Sequence, residues 1–419
     1  MKKIAVIGAG ITGVTTAYKL VERGYNVTVF DRQLYAGMET SFTNGGQLSA
    51  SNAEVWTHPS TLLKGIKWLF KKDAPLSMGL WPSWHKLSWM AEFLSNIPNY
   101  EKNTTKTAAM AVAAREHLLG MADRAGVDFD HSACGILHFY SSQKDFDHAR
   151  YVNGLLAKGG LVRDELAPSQ LRDYEPSLAG EFVGGFWTPS DSTGDIHKFT
   201  NGLAEALKAR GCRFALGRSV DELTPHEHGV RVKTAEVDED FASIVICAGV
   251  GSKALARRLG DRVNIYPVKG YSITVHLNDE LSQASAPKTS LLDDKAKIVT
   301  SRLGVDRFRI AGTAEFSGEN RDIRNDRIKP LLEWCNTYFP EVSTRQFTSW
   351  AGLRPMMPNM MPRVAQGRHA RVFYNTGHGH LGWTLSGITA EMVADLVVEA
   401  RPTIKALGAV APATLQAQA

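Results

Sequence analysis

Long apolar runs are missing from this 419-residue sequence. No stretch approaches the roughly 18 consecutive apolar residues that a membrane-spanning helix needs, so none is expected. The apolar start at residues 4–7 is broken by Gly8, Gly10 and Gly13 before it reaches the length of a secretory leader. A cytoplasmic location is the expectation. Cysteine is scarce: Cys134, Cys212, Cys247 and Cys335 are scattered and form no CxxC pair. That spacing excludes a disulfide framework and a zinc site, and no metal is expected. Charge of one sign is also short, with 48 Lys and Arg against 43 Asp and Glu, a net of +5 and no basic block. A nucleic-acid partner is therefore not expected.

What remains is ordinary globular composition, 43% hydrophobic and 22% charged, on a chain long enough for two cores. The periodicity predicts an α/β chain. Residues 4–7 and 26–30 read as buried strands and 11–23 as the helix between them. Helices are predicted over 107–124, 198–210 and 383–400. Strands are predicted from Gly135 and over 213–216, 220–223, 230–233, 243–248 and 371–375. Alternating runs between 265 and 314 predict an antiparallel sheet. Five of the nine tryptophans fall between Trp56 and Trp89, among Lys64, Lys67, Lys71 and Lys72. Such a segment either docks on a membrane surface or packs a core. The tail from 401 to 419 is Ala- and Thr-rich and is expected to be poorly ordered.

Five motifs carry chemistry. Gly8-Ala9-Gly10-Ile11-Thr12-Gly13 lies between a predicted strand and helix, with Asp31 placed 18 positions past Gly13. The first glycine allows the tight turn, the second lets a pyrophosphate approach, and the third lets helix pack on strand. Asp31 is placed for a ribose hydroxyl. The motif implies an ADP moiety without separating FAD from NAD. Residues 39–47 (ETSFTNGGQ) form either a phosphate-binding loop or a plain surface loop. Residues 244–251 form an apolar strand ending in small residues. Residues 377–384 (GHGHLGWT) make a glycine-rich entry to a helix, suited to negative charge; the two histidines lack a partner at metal spacing. In WAGLRP, Arg354 sits in an apolar segment, facing either a substrate carboxylate or a structural acid.

Together, in this order, ETSFTNGGQ, GIKWLFKKDAPL, YPVKGYSIT, WAGLRPMMP and NTGHGHLGWTLS resemble the D-amino acid oxidase (DAO) family of flavoproteins over roughly residues 1–400. The resemblance implies FAD, in a Rossmann-like domain interleaved with an α+β substrate domain built on an antiparallel sheet. The implied boundaries are 1–50, 191–255 and 345–400 for the FAD domain, and 51–190 and 256–344 for the substrate domain. It assigns Gly8, Gly10, Gly13, Asp31 and Arg32 to the ADP end. Ser41, Asn44, Gly46 and Gln47 fall to the pyrophosphate, ribityl and flavin contacts. Val220 falls to a strand facing adenine, and Ala248 and Gly249 to the second pyrophosphate side. Gly377, His378, Gly379, Gly382, Trp383 and Thr384 form the flavin edge. Arg354 would hold the substrate carboxylate, with Tyr271 either lining that pocket or serving as an ordinary strand tyrosine.

The implied reaction is oxidative deamination of a small D-amino acid by hydride transfer from Cα to flavin N5. It yields a 2-oxo acid and ammonia, with electrons passed to a quinone or another electron-transport acceptor. Additional subunits and peripheral membrane contact fit this reading. The alternatives are a glycine-, sarcosine- or D-proline-type enzyme, a flavin subunit of a larger complex, or a non-catalytic dinucleotide module. One departure concerns specificity. Met356, Met357, Met360 and Met361 replace the family's acidic-glycine turn, and would alter substrate preference if they reached the pocket.

Overall fold

The computed structural model describes residues 2–59, 76–78 and 83–400. Two sheets dominate it. In the first, Lys3–Ile7 pairs in parallel with Asn26–Phe30 on one side and Ser243–Ile246 on the other. The sheet extends to Arg213–Ala215 at one end and Val372–Thr376 at the other, all parallel, with Arg363–Gln366 added antiparallel at the edge. These strands read as short unbroken apolar runs because both faces are covered. On one face Val6, Val14, Val29, Phe199, Val245 and Val393 share a core; on the other Ala5, Ile7, Phe30, Ile244 and Ile246 pack against the small Glu222–Phe241 sheet.

The helix Gly382–Glu399 is apolar nearly all round because it is packed between Ile11–Glu22 and Tyr100–Ala125. Among the described residues it belongs to the one helix, Gly379–Glu399, that is long and apolar enough to cross a membrane, yet that stretch is mostly buried in the fold.

The second sheet has nine strands: eight run in the order Phe347–Met356, Tyr266–His276, Arg307–Phe316, Ile298–Leu303, Ser290–Asp293, Ile136–Tyr140, Gly184–Thr188 and Asp164–Leu166, and Leu76–Met78 pairs in parallel with Arg307–Phe316. The alternating runs between 265 and 314 do form antiparallel strands here. Two segments reach across the expected boundaries. Phe347–Met356, placed by the sequence in the cofactor domain, pairs along its whole length with Tyr266–His276. Tyr100–Ala125, placed in the substrate domain, sends Leu118, Met121 and Ala122 into the first core. The chain crosses between the layers more often than a division by segments conveys.

Candidate active site

A cavity of about 410 Å³ opens where the parallel strands end. Gly8 follows Lys3–Ile7, Asp31 follows Asn26–Phe30, Ala248 and Gly249 follow Ser243–Ile246, and Gly377 follows Val372–Thr376; all line it. Ligands of open α/β sheets bind at this end of the strands. The glycines have separable jobs. Gly8 sits at φ +116 with a hypothetical Cβ 2.5 Å from the Cys247 carbonyl oxygen, so only glycine makes the turn. A Cβ on Gly13 would lie 1.8 Å from the Gly8 carbonyl oxygen, which fixes the close seat of helix on strand. Gly10 lines the cavity.

Asp31 accepts hydrogen bonds from Ala9 N at 2.6 Å and Gln33 N at 2.8 Å. Burial raises its pKa and these two donors oppose the rise. Arg32 lines the same cavity, half-exposed and paired with Glu39 at 2.8 Å. Ser41 accepts from Ile11 N at 3.0 Å, closing the start of the first helix beside the cavity. Asn44 accepts from Gly46 N at 2.8 Å and lines both this cavity and the next.

A second cavity, of about 240 Å³, adjoins the first; Thr40, Asn44, Arg354 and His380 line both. Arg354 donates from Nη1 to the Thr313 carbonyl at 2.9 Å. No acidic side chain pairs with it among the described residues, and burial alone lowers its pKa to about 10. Its side chain lies deep in the protein while remaining partly open to the cavity. A desolvated guanidinium without an acid partner is costly, and a bound carboxylate would offset that cost.

His380 donates from Nε2 to the Asn52 carbonyl at 3.1 Å and stacks on Trp56. Its Nδ1 is then a lone-pair acceptor, buried and without a partner among the described residues. Burial pushes its pKa down to about 4, against the Asn52 hydrogen bond and with help from Arg354. His378 turns elsewhere, to Thr389 at 2.9 Å, and burial pushes it down to about 3. Among the described residues no group of His, Cys, Asp and Glu is arranged for a metal.

The loop carrying Asn52 is held from a distance. The buried Asp191 accepts from Ala50 N at 2.9 Å and Ser51 N at 3.0 Å, and pairs with Arg115.

Of the expected site residues, Gly8, Gly10, Asp31, Arg32, Ser41, Asn44, Val220, Ala248, Gly249, Gly377, His378, Gly379, Gly382 and Trp383 line the first cavity. Gln47 and Thr384 line the second. Gln47 spends its amide N–H groups on Ser290 at 2.8 Å and Leu291 at 3.0 Å, and Thr384 accepts from Ser49 N at 3.2 Å. One expectation is corrected. Val220 lies in the loop before Glu222–His226 rather than on a strand. Gly46 lines neither cavity; at φ +73 it packs on Ser301, where a Cβ would sit 2.7 Å away. Tyr271 borders the second cavity, but its side chain belongs to the core on the sheet's other face with Ile273 and Val275. Its hydroxyl donates to Glu315 at 2.6 Å, and burial raises its pKa.

The methionines also stay out of the pocket. Met356 and Met360 pack with Trp89 and Val268, and none of the four lines either cavity. Sequence reasoning missed Thr40, Trp56, Gly270, Thr313, Trp350 and His380, all lining the second cavity.

The residues fit a dinucleotide whose redox end meets a small anionic substrate. The strand ends, the glycine cradle and Asp31 suit the ADP half, and the orphaned Trp383 Nε1 and His380 Nδ1 lie toward the other end. The fold and the paired cavities define a dinucleotide-binding protein of the oxidoreductase kind. The model of the FAD-dependent oxidoreductase (DAO) family matches residues 3–396, and the chain belongs to that family. It is 57% identical over 405 residues to D-amino acid dehydrogenase 3 of Mesorhizobium japonicum, covering 96% of this chain and 98% of the relative. It is 38% identical to the D-amino acid dehydrogenase of Dechloromonas aromatica, over 96% and 98% of the two chains. The glycine oxidase of Geobacillus kaustophilus shares the fold, with a TM-score of 0.73 at 19% identity over 95% of each chain. FAD is the cofactor that goes with the family.

Proposed function

We propose that this chain is a D-amino acid dehydrogenase that oxidises small D-amino acids to 2-oxo acids and ammonia. The observation that carries the reading is Arg354, a deep-set guanidinium, partly open to the cavity and without an acidic partner among the described residues, where the two cavities meet. FAD, when bound, supplies the hydride-accepting chemistry. Arg354 binds the substrate carboxylate and so fixes which way Cα faces. His380, neutral near pH 7, accepts a hydrogen bond at Nδ1 from the substrate amine, because its Nε2 proton is committed to Asn52. A neutral amine keeps the lone pair that stabilises the cation left when Cα loses a hydride. The resulting imine hydrolyses in water. The second cavity, at about 240 Å³, suits a small amino acid.

The acceptor in this proposal is a quinone or another carrier of the electron-transport chain, reached from the cytoplasmic face of the cell membrane. The helix Trp84–Ser95 supports peripheral contact there: Trp84 is 84% exposed and Leu87 is 52% exposed. Trp56 and Trp89 instead pack inside, and Trp68 and Trp81 lie outside the described residues. Anaerobic titration of the purified flavoprotein with D-amino acids, glycine and N-methyl amino acids tests the substrate. Bleaching of the flavin bands by D-amino acids is expected. Bleaching by glycine or sarcosine alone would sink the reading, and rapid hydrogen peroxide release in air would sink the choice of acceptor. Sedimentation with membranes that is lost in high salt is the expected sign of peripheral contact.

A further inference from the structure

We infer that Gly270 and Thr313 are positioning residues for Arg354, locking its guanidinium so that one edge is spent on the protein and the other is presented to the substrate. This rests on Arg354 as the carboxylate site. In the pairing of Phe347–Met356 with Tyr266–His276, Arg354 lies opposite Val268 and Gly352 opposite Gly270. Period-two alternation puts Arg354 and Gly270 on one face of the sheet, and Tyr271 on the other. From its own strand the arginine side chain crosses the neighbouring strand at Gly270. A Cβ there would lie 2.2 Å from both Nη1 and Nη2 and 2.3 Å from Cζ. Any side chain at 270 would occupy the place of the guanidinium.

The crossing ends on the third strand. Nη1 donates to the Thr313 carbonyl at 2.9 Å. That carbonyl is offered by a break in the pairing: Lys269 faces Glu315, while Tyr271 faces Gly312. Two steps along one strand match three along the other, which is a β-bulge. Thr313 sits in it at φ +58, a conformation a β-branched residue rarely holds without compensation. Its own side chain supplies none, since Oγ1 is buried without a partner among the described residues. The carbonyl contact to Arg354 is what the strained backbone gains. With Nη1 tied, the side-on edge made by Nε and Nη2 is left for a carboxylate, which such an edge binds through two parallel hydrogen bonds.

The test uses the FAD-loaded enzyme, with propionate as a non-reacting carboxylate read through its perturbation of the flavin spectrum, beside steady-state kinetics. Gly270→Ala is expected to keep FAD but to weaken propionate at least tenfold. It raises KM for the substrate by a similar factor and leaves kcat within about threefold. Thr313→Gly removes the side chain, tolerates the positive φ and keeps the carbonyl, so propionate affinity should stay within about twofold. Thr313→Pro forces φ negative, turns the carbonyl away, and should resemble Gly270→Ala. Wild-type propionate affinity in Gly270→Ala overturns the inference, and so does a tenfold loss in Thr313→Gly. Should Gly270→Ala fail to fold or to hold FAD, the Thr313→Gly and Thr313→Pro pair decides, equal affinities in the two counting against it. Arg354→Ala is the separate arm: unchanged propionate binding there would remove the carboxylate assignment itself, whatever the other variants do.

Discussion

The Asp31 carboxylate accepts a hydrogen bond from Ala9 N at 2.6 Å, so the acid ending the second strand and the glycine turn following the first are one unit. That contact gives Asp31 the duty of bracing the turn; holding a ribose hydroxyl would be a second, the one the resemblance implies. Asp31→Ala removes both. Hydrogen bonds to a charged group are worth about 1.5–3 kcal/mol, so FAD affinity should fall roughly 10- to 100-fold. Flavin content after gel filtration, followed by titration of the apoprotein with FAD, measures it. Full retention of FAD would show that Asp31 only braces the turn.

Arg354 separates charge from shape. Arg354→Lys keeps a cation but loses the planar fork, and its shorter reach does not cross Gly270 to the Thr313 carbonyl. Expected are a KM raised about 10- to 100-fold, corresponding to about 1.4–2.7 kcal/mol, and a nearly unchanged flavin spectrum. Arg354→Ala should raise KM further with FAD still bound. Unchanged kinetics in either variant would refute a carboxylate role.

The site was legible in proportion to how local its chemistry is. The glycine turn and Asp31 are settled within one strand–helix–strand unit, where backbone conformation and spacing leave little choice. Arg354 stood out because a lone cation in an apolar strand needs an explanation. Tyr271 was left open between the pocket and an ordinary strand position although the deciding signal lay beside it. Once Gly270 is recognised as the floor beneath a side chain, alternation sends Tyr271 to the opposite face. His380 was overlooked because the two histidines were weighed as metal ligands, whereas each answers a different partner. The pairing of Phe347–Met356 and the role of Asp191 had no local signal at all. Their roles come from pairing with residues far away in the chain, and no periodicity reports that.

Acid should loosen this fold through its buried histidines. His378 is held near a pKa of about 3 by burial, while in the unfolded chain it titrates near about 6.5. Between those values the unfolded state binds the extra proton. Stability is therefore full above about pH 6.5 and is lost as pH falls toward the folded value. For His378 alone the loss at pH 5 is about 2 kcal/mol. Denaturant unfolding of the wild type at pH 7.5 and pH 5, beside His378→Asn, checks this. The variant should be less stable at pH 7.5, having lost the fit to Thr389, but should lose less on acidification. Parallel pH dependence in the two proteins would show that His378 is not a source of the effect.

Asp191 offers the sharpest test of support from a distance. Its carboxylate is fully buried and accepts from Ala50 N, Ser51 N and Arg115. It thereby holds the turn whose Asn52 carbonyl fixes His380. Asp191→Ala leaves Arg115 partly buried without its partner and strands two backbone donors. Breaking such a pair costs about 3–5 kcal/mol. Thermal unfolding should drop by many degrees, and KM for the amino acid should rise, because the turn borders the second cavity at Ser49 and Asn52. Adding Arg115→Met removes the stranded cation but not the stranded N–H groups. The double variant should therefore regain part of the lost stability and little of the activity. Full recovery of both would mean that the two charges matter only to each other. No recovery of stability would mean that the damage lies wholly in the Ala50 and Ser51 donors, leaving the buried charge pair without a share in holding the turn.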